Sequence, residues 1–177
     1  MTKPRLATLW LDGCSGCHMS LLDLDEALVT VTERADLVYS PLVDAREYPH
    51  GVDVALVEGA VGTEEDVEKI RLVRERTRIL VALGDCAVTA NISGARNPVA
   101  LKDIYDHIYV ECADLGRSHP ADPALPILLK HAVPLHDVVK VDLHVPGCPP
   151  SASTIQFVIS ELLDGRMPDL RSRTRFG

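Results

Sequence analysis

The sequence predicts an open, doubly wound α/β fold built on a parallel sheet. Three observations carry that expectation. Compact apolar runs alternate with stretches whose apolar residues recur at helical spacing, turns containing glycine close several of the runs, and 46% hydrophobic with 25% charged residues is a globular composition. At 177 residues the chain is sized for one domain, taken as 1–177, with length enough for a sizeable core.

The first unit is strand, loop and helix. Arg5 to Leu11 is a compact apolar run suited to burial, Asp12 to Cys17 is rich in glycine, and Leu21, Leu24 and Leu28, with Leu22 beside them, follow at helical spacing. Asp36 to Tyr39 reads as a short second strand, and Val52 to Val57 as a third that ends at Glu58 and Gly59. Thr63 with Asp66 three residues on has the pattern of a capping box. Val67, Ile70 and Val73 then share one helical face, and Arg71, Arg74 and Arg76 lie toward the C-terminal end, where cations suit the helix dipole. Ile79 to Leu83 is again a buried-strand run, closed by Gly84, Asp85 and Cys86.

Ala87 to Asn91 opens a helix that Gly94, Asn97 and Pro98 interrupt, and another helix is expected over about Val99 to Val110. Residues 111–135 hold Gly116, Pro120, Pro123, Pro126 and Pro134 around one short apolar segment, and read as a long surface excursion. Val138 to Val145 is the last strand, stopped by Pro146, Gly147, Cys148, Pro149 and Pro150. Ser151 caps a helix carrying Ile155, Val158, Ile159 and Leu162 as far as Gly165. Residues 166–177 form a short basic tail, expected to be exposed. Strands alternating with helices imply a sheet covered on both faces, of flavodoxin-like type, with the active crevice outside the carboxyl ends of the strands.

Charge and hydropathy exclude two classes of partner. A net charge of −8 lacks the positive field that collects phosphate backbones, so no nucleic acid is expected. No apolar run approaches the ~18 residues of a membrane-spanning helix, so no membrane is expected either. Met1 to Leu11 has no signal-peptide pattern, and the expected location is the cytoplasm, where thiols stay reduced. Five cysteines there are ligands, redox groups or core residues rather than a disulfide framework.

Cys14 and Cys17 follow the first strand, Cys86 the fourth and Cys148 the last, each beside or close to a glycine, so all four fall on one edge of the sheet. Sulfur ligands need the amide donors that such loops expose. Three chemistries use the Cys14-x-x-Cys17 spacing. A thioredoxin-like dithiol leaves Cys86 and Cys148 without a role. A binding module stabilised by zinc on four cysteines fits the count, although structural zinc commonly takes two close pairs. A [4Fe–4S] cluster accepts four thiolates from dispersed loops, and the pattern favours it while leaving zinc open. Cys112, without a flanking glycine, is expected to be a buried thiol.

Four ordered motifs resemble one family: Leu11-Asp12-Gly13-Cys14-Ser15-Gly16-Cys17-His18-Met19-Ser20, Val57-Glu58-Gly59-Ala60-Val61, Gly84-Asp85-Cys86-Ala87 and Val145-Pro146-Gly147-Cys148-Pro149-Pro150. Together they are similar to the small subunit of [NiFe] hydrogenases, and most to that of the soluble NAD-reducing type. The resemblance runs from Arg5 to about Pro168. It implies that Cys14, Cys17, Cys86 and Cys148 bind one proximal [4Fe–4S] cluster, against a large subunit holding the nickel–iron centre. Further iron–sulfur clusters and FMN would belong to diaphorase subunits that reduce NAD⁺. This chain would then relay electrons, with no catalytic centre for H₂ of its own. Longer members carry extra cysteines for more clusters, none of which follow Cys148 here. Electrons are therefore expected to pass from this one cluster to another subunit. The related quinone-reducing complexes have a similar subunit, but their first pair is usually adjacent cysteines. No glycine-rich phosphate fingerprint is present, so a flavin on this chain is not expected.

The remaining polar residues carry smaller expectations. Glu58 either receives amides of the cluster loops, takes part in proton movement, or anchors a loop. His18 is expected to face solvent or a partner, Trp10 and His144 to pack in the core, and Asp12 and Asp85 to form turns.

Overall fold

The computed structural model describes residues 2–114 and 118–177. Gly116, one of the residues behind the expected excursion, lies outside the described residues.

Chain order places β1 at Arg5–Trp10, α1 at Gly16–Leu22, α2 at Ala27–Arg34, β2 at Asp36–Tyr39 and β3 at Val52–Glu58. β4 (Val61–Thr63), α3 (Glu64–Arg76), β5 (Thr77–Leu83), α4 (Asp85–Thr89), α5 (Asn91–Gly94) and α6 (Leu101–Asp106) follow, the last continuing as a π-helical turn, His107–Glu111. β6 (Leu128–Val133), a 3₁₀ turn (Leu135–Asp137), β7 (Leu143–Val145) and α7 (Ala152–Leu163) complete the described elements. The main sheet runs β2-β1-β3-β5-β7, every pair parallel, with the switch of direction between β1 and β3. This is the flavodoxin-like order, and it bears out the expected α/β class.

Alternating side chains divide the core between the two faces of the sheet. Ala7, Leu9, Ala55, Val57, Leu80 and Ala82 face one way, with Ile70 and Val73 of α3 packed among them. Leu6, Val54, Leu56, Val81 and Leu83 face the other, against Ile155, Val158, Ile159 and Leu162 of α7 and Leu21 of α1. Near-continuous apolar strands are therefore the signature of a sheet buried on both sides. The capping box is complete: Asp66 N donates to Thr63 Oγ1 at 3.0 Å, and Thr63 N to Asp66 Oδ2 at 3.0 Å. Ser151 Oγ likewise accepts from Thr154 N at 3.2 Å and starts α7.

The structure departs from the expectations in four segments. The excursion of 111–135 contains β6, which pairs antiparallel with β4. Asn97 holds it there, since its Nδ2 donates to Ala132 O and its Oδ1 accepts from Ala132 N, both at 2.8 Å. Of the expected strand Val138 to Val145 only β7 pairs with β5. Val138, Val139 and Val141 pack on the core without joining the ladder, because Leu80 N donates instead to the side chain of Asp142 at 2.8 Å. The helix expected from Val99 begins at Leu101 and ends in the π turn, and the one at Ala87 is split in two where Ala90 turns to φ 64°. The tail, residues 166–177, is mostly exposed as expected, while Pro168 is buried, Leu170 packs on the core, and Thr154 Oγ1 donates to Arg173 O at 3.1 Å. Among the described residues no helix is long and apolar enough to cross a membrane.

Thr63→Ala removes one half of the capping box and should lower stability by about 1 kcal/mol. Chemical denaturation of the parent and variant proteins checks this, and equal midpoints would contradict it.

Candidate metal centre

The parallel strands end in register, Trp10 beside Glu58, Glu58 beside Leu83 and Leu83 beside Val145, so β1, β3, β5 and β7 release their loops at one edge of the sheet. The β1 and β3 loops stay paired past the strand ends, with Leu11 N donating to Glu58 O at 3.0 Å and Ala60 N to Asp12 O at 2.7 Å. Gly59 permits this closeness: its φ is +88°, and a Cβ there would lie 2.8 Å from the carbonyl carbon of Leu11.

Cys14, Cys17, Cys86 and Cys148 all line one cavity of about 130 Å³ at this edge, together with Glu58 and Asp85. Cys14 and Cys148 are exposed, while Cys17 and Cys86 are half-buried. Gly84, at φ +84°, is a second required glycine, since a Cβ would stand 2.2 Å from Cys17 Sγ. The loops are sewn to one another by hydrogen bonds. Asp85 N donates to Gly147 O at 2.9 Å and Gly147 N to Asp85 Oδ1 at 2.6 Å, joining the Cys86 and Cys148 segments. Ser20 Oγ donates to Pro150 O at 2.6 Å, and His18 N to Glu58 Oε2 at 2.8 Å, which fasten the Cys17 helix to the Cys148 loop and to β3.

Glu58, only 2% exposed, therefore does receive an amide of the cysteine loop, one of the roles expected for it. His18 corrects the expectation of a solvent-facing ring. It is buried, with Nε2 2.9 Å from Thr8 Oγ1 and Nδ1 3.2 Å from Glu58 Oε1, because the turn at Ser15 rotates that face of α1 onto β1 and β3. Thr8 Oγ1 donates onward to Ser40 Oγ at 2.8 Å. Burial pushes the Cys17 thiol well above its ordinary range, and the negative charge of Glu58 adds to the effect. Burial also raises Cys86, against which the amides of Ile92 and Ser93 work by donating to its sulfur.

The donor set fits a polynuclear metal group. A single zinc ion draws four sulfurs to about 2.3 Å from one point. Among the described residues no three His, Cys, Asp or Glu side chains are gathered closely enough to hold one metal ion. The four cysteines instead surround a cavity several times larger than one water requires. Metal binding would have to reverse the raised thiol pKa values, as a cation held at the sulfurs does.

Other residues fall elsewhere than expected. Trp10 is 47% exposed, since the last residue of β1 projects past the core and its Nε1 donates to Gly13 O at 3.0 Å, propping the Cys14 loop. His144 is exposed on the edge strand β7, its ring 5.6 Å from that of His136; partial desolvation, then His136, lowers its pKa. Cys112 is exposed beyond the π turn, 3.7 Å from His107 Nε2, where the chain has left the core. Asp12 and Asp85 do more than turn the chain: Asp12 bridges to Ala60, and Asp85 clamps two loops. Ser20 and Thr8 carry no signal in the sequence, because their partners are distant in the chain and no local pattern marks them.

The model of the family described as NADH ubiquinone oxidoreductase, 20 Kd subunit, matches residues 14–162. The NAD-reducing hydrogenase HoxS subunit delta of Cupriavidus necator is 37% identical over 96% of this chain and 83% of its own length. One subunit of the F420-non-reducing hydrogenase vhu of Methanocaldococcus jannaschii is 35% identical over 96% of this chain, which spans 59% of that protein's length. A chain in the crystal structure of an NAD⁺-reducing [NiFe]-hydrogenase in the H₂-reduced state superposes with a TM-score of 0.95, at 39% identity, over 99% of both chains.

In Glu58→Gln the neutral amide removes a charge that holds the Cys17 thiol up. The Cys17 pKa in metal-free protein should therefore fall, yet stay above the ordinary range because burial remains, so more thiolate is present at pH 9. Alkylation of Cys17, followed by mass spectrometry, should be faster in the variant; an equal rate would show that the charge is not felt.

Proposed function

This chain belongs to the family of the NADH ubiquinone oxidoreductase 20 Kd subunit and, within it, to the small subunits of [NiFe] hydrogenases of the NAD-reducing type, and we propose that it is the electron-relay subunit of such a hydrogenase. The observation that carries the reading is the convergence of four cysteines, from three strand-end loops, on one cavity. Cys14, Cys17, Cys86 and Cys148 are assigned as thiolate ligands of one [4Fe–4S] cluster. Bound there, the cluster supplies one-electron transfer with its potential set by charge, burial and amide donors. With Cys112 outside the site, the five cysteines provide ligands for a single four-iron group.

The chain's own residues hold that site rigid. Glu58 and Asp85 bind loop amides, and the half-buried pair Cys17 and Cys86 sits inward while Cys14 and Cys148 face the surface. Trp10, Met19 and Ile92, beside the cysteine loops, are exposed apolar side chains suited to burial against a partner. That partner is the large subunit with its nickel–iron centre, where H₂ is cleaved. Iron–sulfur and FMN-bearing diaphorase subunits receive the electrons and reduce NAD⁺, and the complex works in the cytoplasm. The family model's description keeps a quinone-reducing assembly as the second reading. The Cys14-x-x-Cys17 spacing and the 39% identical hydrogenase chain favour the first.

The complex co-purified without air should contain about four irons attributable to this chain and a visible absorption that bleaches on reduction. Cys17→Ser should lose that absorption, and hydrogen-driven NAD⁺ reduction should fall by at least about a hundredfold. Stoichiometric zinc without iron, or normal turnover in Cys17→Ser, would overturn the reading.

A further inference from the structure

Asp85 has two carboxylate oxygens, and the cysteine loops account for only one. The side chain is 3% exposed. Its Oδ1 accepts from Gly147 N at 2.6 Å, and its Oδ2 accepts from Gly177 N at 2.8 Å. Between α7 and that contact, residues 166–177 run back along the helix. Leu170 packs on the core, Arg173 O accepts from Thr154 Oγ1, and the Arg173 guanidinium lies 4.0 Å over the Phe157 ring. Gly177 rests on Cys148 so closely that a Cβ would stand 2.7 Å from Cys148 Cβ.

Cys148 is a wall between two spaces. On one side is the four-cysteine cavity. On the other is a cavity of about 380 Å³ bounded by Pro146, Ser151, Thr154, Arg173 and Arg175. Arg173, Arg175 and Gly177 of the tail line this outer cavity, and Gly177 N bonds to the same carboxylate that sets the spacing of the Cys86 and Cys148 loops. Hydrogen bonds to a charged acceptor are the strong ones, and a buried acceptor with two amide donors over-determines the position of both.

We propose that Asp85 is a positioning residue that locks the Cys148 loop to the Cys86 loop and fastens residues 170–177 as a strap across the outer side of Cys148. The proposal rests on the reading of Cys148 as a cluster ligand. Cys148 stays exposed on its free side, and the strap keeps water and dioxygen from the side that Gly177 covers. Water near a ligand sulfur favours the more negative, reduced state, so lifting the strap raises the potential.

The test uses the assembled complex purified without air. Gly177→Ala leaves the bond from Gly147 to Asp85 in place while its Cβ forces the strap off Cys148. The variant should keep its irons, bleach in air about tenfold faster, the factor that one lost charge-assisted hydrogen bond puts on an opening equilibrium, and titrate at a higher potential by electron paramagnetic resonance. Asp85→Asn leaves one acceptor for two amide donors and should bleach at least as fast, and Asp85→Ala should lose iron as well. Amide exchange of residues 170–177 should be slow in the parent complex and fast in Gly177→Ala. This measure does not depend on iron, so a parent complex without iron in this chain would fail the ligand reading while the strap is still read. Exchange, bleaching and potential in Gly177→Ala that match the parent would overturn the strap, and an Asp85→Ala complex with parental iron and potential would overturn the positioning role.

Discussion

Parallel pairing of β3 with β1 on one side and β5 on the other is the constraint on which the rest of the molecule depends. Val54 to Val57 are 0–2% exposed, so this strand can slip neither sideways nor in register without turning apolar faces to water. Because the pairing is parallel, the carboxyl ends coincide, and the residues that leave the sheet there emerge as neighbours. β7 adds only a short rung to the ladder, yet that rung is what delivers Cys148 to the same edge.

The edge so formed is crowded with groups that take negative charge: four thiols, Glu58 and Asp85 around one small cavity. Such a set is unfavourable unless amide donors and a cation compensate it. The carboxylates are each spoken for by loop amides, and Cys86 by the amides of Ile92 and Ser93. Left without compensation are Glu58 Oε1, a buried oxygen with no hydrogen-bond partner among the described residues, and the sulfur of Cys17, whose thiol burial and Glu58 hold high. That condition supports the proposed inserted positive group over a free reactive thiolate. It also differs from a dithiol redox site, where the first cysteine is kept acidic.

Much of the fold was legible in the chain. The apolar runs at β1, β3 and β5, the Thr63 capping box and the Ser151 cap are local patterns whose cause lies within a few residues, and each stands where the pattern put it. The segments that departed share a different cause. β6 is made a strand by Asn97 and β4, Val138 to Val141 are kept out of the ladder by the Asp142 side chain, and Trp10, His144 and Cys112 are exposed because Trp10 ends β1, His144 lies on the edge strand β7 and Cys112 follows the π turn. Apolar character alone does not tell a packed residue from a paired one.

At the site, residue types and their order along the chain determined that four cysteines would follow three strands of one parallel sheet, since strand direction and the placement of loops follow from local periodicity. The tertiary structure decided how those loops are held. Asp85 to Gly147 and Gly177, Glu58 to His18, and Ser20 to Pro150 are contacts between segments far apart in the chain. No local pattern encodes them, because a buried carboxylate takes whichever amides the packed loops bring within reach. The chain thus determined which atoms could bind a metal group, and only the packing of the sheet edge decided the shape in which they are presented.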